Sequence, residues 1–417
     1  MRAEPIRVSG EIHEGRGIPG DFYLGRSPEI PEALAAERPG TVKLVYMDPP
    51  FQTGSSFRMR VRVGEEDWKK GVGSLELRTY ADTQDREAYL AMMRRVLTAC
   101  RTLLSDDGML FLHLDWRMHP YLRLLGDEIF GERNLLNEIV WQYQSGGRSL
   151  RHFSRKHDTL LFYAKGRDYD FHIEDVMERP AGPRTNHMRR HVDPDGRVYR
   201  SIRSNGRVYT YYDDDPVAPT DVWQDLNHLQ QKDPERTGYD VQKPLALLDR
   251  IVKCASRPGD WVLDPFAGSA TTLEAAKLNG RNFIGIERCP LTLNIARRRL
   301  VGADYRILLD GQPEFEPTPV CSASVHPGVG FYHVYLEDFR TQIEGMDEGA
   351  DPLDALDNWS VGYLRPEGYQ VMAEFARGRK EGALRRELAA PAYAGDLAMC
   401  VSDVLGRCHY FALDREQ

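Results

Sequence analysis

The sequence predicts an α/β fold, an open doubly wound sheet that carries a β-hairpin-rich insert and a small C-terminal module. Three observations predict it. Short apolar, partly β-branched runs alternate with segments of helical periodicity through most of the chain. From Phe171 to Trp223 that alternation gives way to short pieces separated by turn signals at DPDGR and SNGR, the pattern of inserted hairpins. Beyond Asp310 a proline-rich linker, GQPEFEPTP, leads to DNWSVGYL and LAMCVSDVLGRCHYFAL, which read as strands of a β-rich unit.

The elements follow in order. The apolar run of TVKLVYMDPP stops at a Pro-Pro pair, which predicts a buried strand at 41 to 47 feeding a loop. Between Asp85 and Leu104, apolar residues recur at Tyr89, Met93, Val96, Cys100 and Leu103, the spacing of one helix face. GMLFLHLD reads as a buried strand, 117 to 130 as a helix, and NEIVWQY and DTLLFYAK as further strands. The stretch between those two, QSGGRSLRHFSRKHD, is polar, basic and aperiodic, and predicts a mobile loop. After the insert come a helix at PLALLDRIVKCAS, a strand at WVLDPF, a helix at SATTLEAAKLNG, a strand at NFIGIE and a helix at LTLNIARRRL, a second βαβ unit. The predicted divisions are two core halves at 20–170 and 224–310, the insert at 171–223 and the terminal module at 311–417.

Composition narrows the class. A chain of 417 residues with 41% hydrophobic and 28% charged residues suits a globular protein of more than one unit, and no apolar run is long enough to span a bilayer. The polar start MRAEPIRVSGEIHEG has no signal-peptide character, so the expected location is the cytoplasm. Cys100, Cys254, Cys289, Cys321, Cys400 and Cys408 form no CxxC pair, which argues against a zinc site or a disulfide framework. The net charge of −8 is unevenly spread: residues 311 to 417 hold 18 acidic and 9 basic residues, leaving 45 and 46 before them. Within Arg179 to Arg207 stand eight arginines against Asp193 and Asp195, a footprint suited to phosphates, although a solvated charged loop gives the same pattern.

Two constellations carry chemistry. Asp264-Pro265-Phe266-Ala267-Gly268-Ser269 lies where a strand ends and a helix begins; its small residues let a ligand approach the backbone, and the helix start offers free N–H groups. Glu287 ends the next strand, where a carboxylate can accept hydrogen bonds from both ribose hydroxyls of an adenosyl cofactor. A plain strand-turn-helix, or a site for another nucleotide-type cofactor, fits that pair too. Asp48-Pro49-Pro50-Phe51 ends the strand at 41 to 47. An aromatic amine is a poor nucleophile because its lone pair is delocalised into the ring. The Asp48 carboxylate and the Pro49 carbonyl could accept its two N–H bonds, draw the nitrogen toward tetrahedral geometry and stabilise the positive charge that develops on methylation. Phe51 would give the base a flat apolar face. A proline turn after a strand is the plain alternative.

Taken together, these motifs resemble the DNA amino-methyltransferases that modify N6 of adenine or N4 of cytosine, in the group whose catalytic motif precedes the cofactor motif, the β class of site-specific modification methylases. The resemblance runs through LVYMDPPFQTG, HLDWRMHPYLRLLGDEIFGERNLLNEIVW, HDTLLFYAK and GYDVQKPLALLDRIVKCASRPGDWVLDPFAGSATTLEAAKLNGRNFIGIE, roughly residues 20 to 305. It implies a Rossmann-like methyltransferase sheet, with 20–170 as the catalytic half and 224–310 as the half that binds S-adenosylmethionine. It also implies that Gln242-Lys243-Pro244 lies by the cofactor's methionine end and that Phe171 to Trp223 is the target-recognition region. The family's second small residue of the cofactor loop is Ser269 here. Its Gly-Asp before the catalytic strand appears as Leu24-Gly25-Arg26, with Asp21 nearby. Asp48, where cytosine-N4 enzymes of this arrangement more often carry serine, favours adenine; cytosine N4 remains the alternative.

The resemblance implies double-stranded DNA as partner, bound by a base-flipping enzyme. Arg148, Arg151, Arg155 and Lys156 of the loop, with Arg184, Arg189, Arg190 and Arg203 of the insert, are the candidate DNA contacts. A homodimer and a companion restriction or defence subunit stay open, and location in the nucleoid follows from the substrate. His113-Leu114-Asp115 with His119 lacks the further ligands of a metal site, and methyl transfer from a sulfonium requires no metal. GRGIPG lacks the Lys-Ser/Thr ending of a phosphate loop. Two rivals remain: a DNA-binding specificity subunit without catalysis, and an enzyme of this fold acting on a protein glutamine or RNA.

Overall fold

The computed structural model of the chain describes residues 3–15, 17–54, 56–63, 74–81, 85–143, 149–180, 188–309, 319–346, 351–377 and 384–415. The linker GQPEFEPTP lies outside them except for its last residue, as do Arg148 and Arg184.

The centre is a sheet whose strands run Asp304–Leu309, Pro19–Leu24, Asn282–Glu287, Trp261–Asp264, Val42–Met47 and Leu104–Leu114, all parallel to their neighbours. Parallel strands are covered on both faces, so near-continuous apolar runs are what they require. Val42–Met47 is buried at all six positions. Even Lys43 complies: its stem is buried while its ammonium reaches Asp107 and, at 3.4 Å, Asp170. His157–Ala164 and Leu135–Gln142 extend the sheet antiparallel.

Alternate residues of each strand feed opposite cores. Leu44 and Tyr46 face helices Leu245–Cys254, Thr271–Leu278 and Leu293–Leu300, while Val45 and Met47 face Glu29–Glu37, Arg86–Leu103 and His119–Phe130. The sheet is therefore doubly wound, an α/β Rossmann-like layer structure. Arg86–Leu103 starts at Asp85, whose carboxylate accepts from the amides of Glu87 and Ala88 at 3.0 and 3.2 Å, and it buries the expected face of Tyr89, Met93, Val96, Cys100 and Leu103. Burying such side chains contributes roughly 2 kcal/mol each.

The insert forms a three-stranded antiparallel sheet of Arg189–Val192, Val198–Ser204 and Arg207–Tyr212. The terminal residues build Val320–Pro327, Phe331–Arg340 and Glu387–Pro391 into one sheet. Leu356–Arg365, Gly368–Ala376, Leu397–Asp403 and Cys408–Ala412 join the central sheet, through Gly10–His13, which pairs with both Asp304–Leu309 and Gly368–Ala376. Among the described residues this continuous sheet has 15 strands. None of the described helices is long and apolar enough to cross a membrane.

Candidate active site

Val42–Met47 and Trp261–Asp264 are neighbours, yet the chain leaves them in opposite directions. The first continues through Arg86–Leu103 on one face, the second through Thr271–Leu278 on the other. A crevice opens at the carboxyl ends of strands where the winding reverses in this way. A cleft of ≈ 1020 Å³, its open mouth included, lies there, and Asp48, Pro49, Pro50, Phe51, Asp264 to Ser269 and Glu287 all line it.

At the Asp48 end, Oδ2 accepts from Lys243 Nζ at 2.5 Å, while Oδ1 is buried with no hydrogen-bond partner among the described residues. Lys243 Nζ also lies 5.2 Å from the centre of the Phe51 ring. Behind Phe51, Tyr46 Oη pairs with His113 Nδ1 at 2.8 Å, and His113 Nε2 with Asp158 at 3.2 Å. Tyr143 Oη donates to the other Asp158 oxygen at 3.1 Å. Burial pushes the Asp158 carboxyl up, but His113, Lys243 and Tyr143 outweigh it and hold the group below its ordinary value. His113 is thus committed to a polar chain that braces the floor beneath Phe51.

At the other end, Asp264 Oδ1 accepts from Phe266 N at 3.0 Å and Oδ2 from Thr272 Oγ1 at 2.6 Å. Burial pushes its carboxyl up to about 7, and the neighbouring Asp48 and Glu287 carboxylates add to the shift. Glu287 accepts from Gly268 N at 2.9 Å and Cys289 N at 2.8 Å; burial raises its carboxyl too. Gly268 has φ +49, where side chains are strained, and a Cβ would come within 3.2 Å of the Tyr239 ring. Ala270, at φ 58, precedes Thr271–Leu278 without any side-chain cap, which leaves the first amides of that helix uncapped by a side chain.

The expected site residues divide. Of Gln242-Lys243-Pro244, only Lys243 lines the cleft, and it sits on Asp48. Gln242 is buried in its own loop, accepting from Thr237 N and Oγ1 at 2.8 Å and donating to Glu235 O at 3.0 Å. Asp21 does not line the cleft and is held by Arg306 Nη2 at 2.8 Å and Arg38 Nη2 at 3.3 Å. The lining also includes Tyr239, Val241, Met92, Arg288 and Thr272, none of which is among the expected site residues.

Arg151, Arg189, Arg190 and Arg203 are exposed. Arg155 stacks over Trp116, 4.0 Å from its ring centre. Two arginines of the insert are neutralised locally: Arg197 pairs with Asp214 at 2.8 Å and Asp215 at 3.2 Å, and Arg200 with Asp213 at 3.3 Å. Those aspartates stand just beyond the counted run, so its effective charge is lower than the tally of arginines.

A family model described as DNA methylase matches residues 42–298. The chain is 29% identical over 291 residues to the type II methyltransferase M.EcaI of Enterobacter cloacae, covering 59% of this chain and 61% of that protein. It is 28% identical over 267 residues to the DNA adenine methyltransferase YhdJ of Escherichia coli K12, covering 64% and 78%. To the type II methyltransferase M.ScaI of Streptomyces caespitosus it is 31% identical over 285 residues, covering 67% and 80%. Among solved structures, a DNA modification methylase of Thermus thermophilus complexed with S-adenosyl-L-methionine aligns with a TM-score of 0.42 and 19% identity, over 71% of this chain and 100% of that one. PvuII DNA methyltransferase, described as cytosine-N4-specific, aligns at 0.45 and 14%, over 72% and 89%. The match from residue 42 to residue 298 takes in both lips of the cleft, from the strand before Asp48 to the helix after Glu287, and by that match the chain belongs to the DNA methylase family.

Proposed function

We propose that the protein transfers a methyl group from S-adenosylmethionine to N6 of an adenine turned out of double-stranded DNA. The observation that carries this reading is the buried Oδ1 of Asp48, unpartnered among the described residues, on a side chain that lines the same cleft as Asp264, Gly268 and Glu287. A buried acceptor without a donor is costly, and an incoming amine N–H would satisfy it.

The residues at the other end fit an adenosyl cofactor. Gly268 lets the backbone face a ligand closely, and the uncapped helix start offers amide donors. Each Glu287 oxygen holds one backbone amide and keeps a second lone pair for a ribose hydroxyl. When bound, S-adenosylmethionine supplies a methyl group on a positively charged sulfur. Asp48 Oδ1 accepts one N–H of the target amine and the Pro49 carbonyl the other. As the amine nitrogen becomes positive, the fixed carboxylate stabilises it more than it stabilised the neutral amine, a gain made only in the transition state. Lys243 holds Oδ2 and so sets the direction of Oδ1. Phe51, braced by His113, is the surface on which the base stacks.

An aspartate at position 48 and the similarity to a relative named as an adenine methyltransferase support N6 of adenine over N4 of cytosine. Arg151, Arg155, Lys156, Arg189, Arg190 and Arg203 supply cations for the phosphates, and residues 171–223 would choose the site. The test is labelled methyl transfer from S-adenosylmethionine to duplex DNA, RNA and protein, followed by sequencing that distinguishes modified adenine from modified cytosine. Label in adenine, lost in Asp48→Ala, is expected. Label in cytosine would transfer the reading to N4, and label in RNA or protein alone would refute it.

A further inference from the structure

The loop from Ser149 to Lys156 carries two large apolar side chains on its outer side: Leu150 and Phe153 are fully exposed, at 103% and 98%. Isolated exposed apolar residues are ordinary. This pair differs in being held out by a built turn and set among cations. Ser149 Oγ accepts from the amides of Arg151 and His152 at 3.2 and 3.3 Å, and Ser149 N donates to Ser154 Oγ at 3.3 Å. Arg151 stands between the two apolar residues and Arg155 two positions after the second.

The loop's base is tied to the catalytic edge. Tyr143 N donates to Lys156 O at 3.0 Å, and Tyr143 and Asp158 join in the polar chain that reaches His113 beneath Phe51. Arg155 lies over Trp116, which follows the end of Leu104–Leu114, the strand beside the one that delivers Asp48. The loop that carries the apolar tip is therefore tied to the strand beside Asp48 and to the polar chain under Phe51.

We propose that Leu150 and Phe153 form a wedge that enters the duplex and fills the gap left by the base turned out toward Asp48. The proposal rests on the methyl-transfer reading above. Turning a base out destroys two stacking contacts and leaves an apolar hole between its neighbours. An apolar side chain in that hole recovers contact that water cannot give, and cations on either side fit the phosphates that flank it. The charge around the tip selects nucleic acid over an apolar protein surface as the occupant.

The test uses the full chain and the site identified by sequencing, in two duplexes: one fully paired, one with the target base opposite an abasic position. Phe153→Ala, and the double variant with Leu150→Ala, should lose at least about tenfold in transfer to the paired duplex and come within about twofold of wild type on the unpaired one. Cofactor binding should be unchanged, and Phe153→Trp should retain activity on both duplexes. Replacement of the target by 2-aminopurine should give a fluorescence rise with wild type that the double variant lacks. Equal losses on both duplexes, or none on either, would overturn the wedge while leaving methyl transfer intact. So would a wild type that self-associates through the tip while the monomeric double variant keeps full activity. A wild type inert on both duplexes would overturn the methyl-transfer reading and the wedge with it.

Discussion

Asp264 provides the most quantitative prediction. Its carboxyl, ordinarily near 3.8, is pushed up to about 7 by burial, so the folded protein holds a proton there that the unfolded chain has already released. Below the ordinary value both states are protonated and the group is neutral to stability. Between that value and about 7 only the folded state is protonated, and stability falls as pH rises, by about 1.4 kcal/mol per unit. Between pH 5 and pH 8 the loss attributable to this one carboxyl is ~2 to 3 kcal/mol. Asp264→Asn removes it without changing shape: the Asn oxygen still accepts from Phe266 N, and its amide donates to the Thr272 hydroxyl, which can reverse its role. Urea unfolding of wild type and variant, run side by side from pH 5 to pH 8, should show the variant gaining that amount over wild type as pH rises. Parallel curves would mean that Asp264 is ionised throughout and that its environment is far more polar than the burial implies.

Further outcomes follow from the same geometry. Asp48→Ala should lower methyl transfer about 10²- to 10³-fold, the scale of removing one preorganised transition-state interaction, with cofactor affinity measured calorimetrically left near wild type. Alanine at Arg148, Arg151, Arg155 and Lys156 should weaken binding to all DNA sequences alike and reduce the slope of log affinity against log salt by about 0.9 for each phosphate no longer neutralised; an unchanged slope would remove the loop from the interface. Gly20→Ala should destabilise the protein by roughly 1–3 kcal/mol in thermal melts, because its Cβ would fall 2.0 Å from the buried Phe283 ring on the next strand. Glu11→Ala should cost about 3–5 kcal/mol by stranding the buried Arg297, and Arg297→Met added to it should recover part of the loss.

What is legible in the sequence depends on distance along the chain. VKLVYM and NFIGIE announce parallel strands because both faces are covered, and acidic residues at their ends must then stand at one edge, which brings Asp48 and Glu287 together. Lys243 on Asp48 lies beyond such reasoning: the pair is 195 residues apart, and the family resemblance places Lys243 by the cofactor's methionine end without naming Asp48 as its partner. Gln242 looks equally available, yet its amide is consumed by Thr237 and Glu235 in a turn that no periodicity marks. The basic run of the insert misleads by its boundaries, since Asp213, Asp214 and Asp215 lie past its last arginine and come back across the hairpin to Arg200 and Arg197.

The acidic terminal residues also read differently in three dimensions. Composition sets them apart, but Gly10–His13 stitches them into the central sheet, and the joint is made of charge. Glu11 is buried there, accepting from Arg297 on the helix after Glu287, from Tyr410 Oη at 2.7 Å on the last strand, and pairing with His13 Nε2 at 3.0 Å. Burial opposes ionisation, yet Arg297 and His13 overcome it and hold the carboxyl well below the carboxylate range. A lowered value means stability that is present above pH 4.5 and is drawn down as pH falls below it. Arg297 belongs to the helix that follows Asn282–Glu287, the strand whose end lines the cleft, so acid that loosens Glu11 acts on the support of Glu287 from behind. Removing the terminal strands would therefore bare the edge of Gly10–His13 and take Tyr410 away from Glu11, opening the buried Glu11–Arg297 pair to water. The remaining sheet should then be less stable alone than within the whole chain, although none of the described residues after Asp310 lines the cleft.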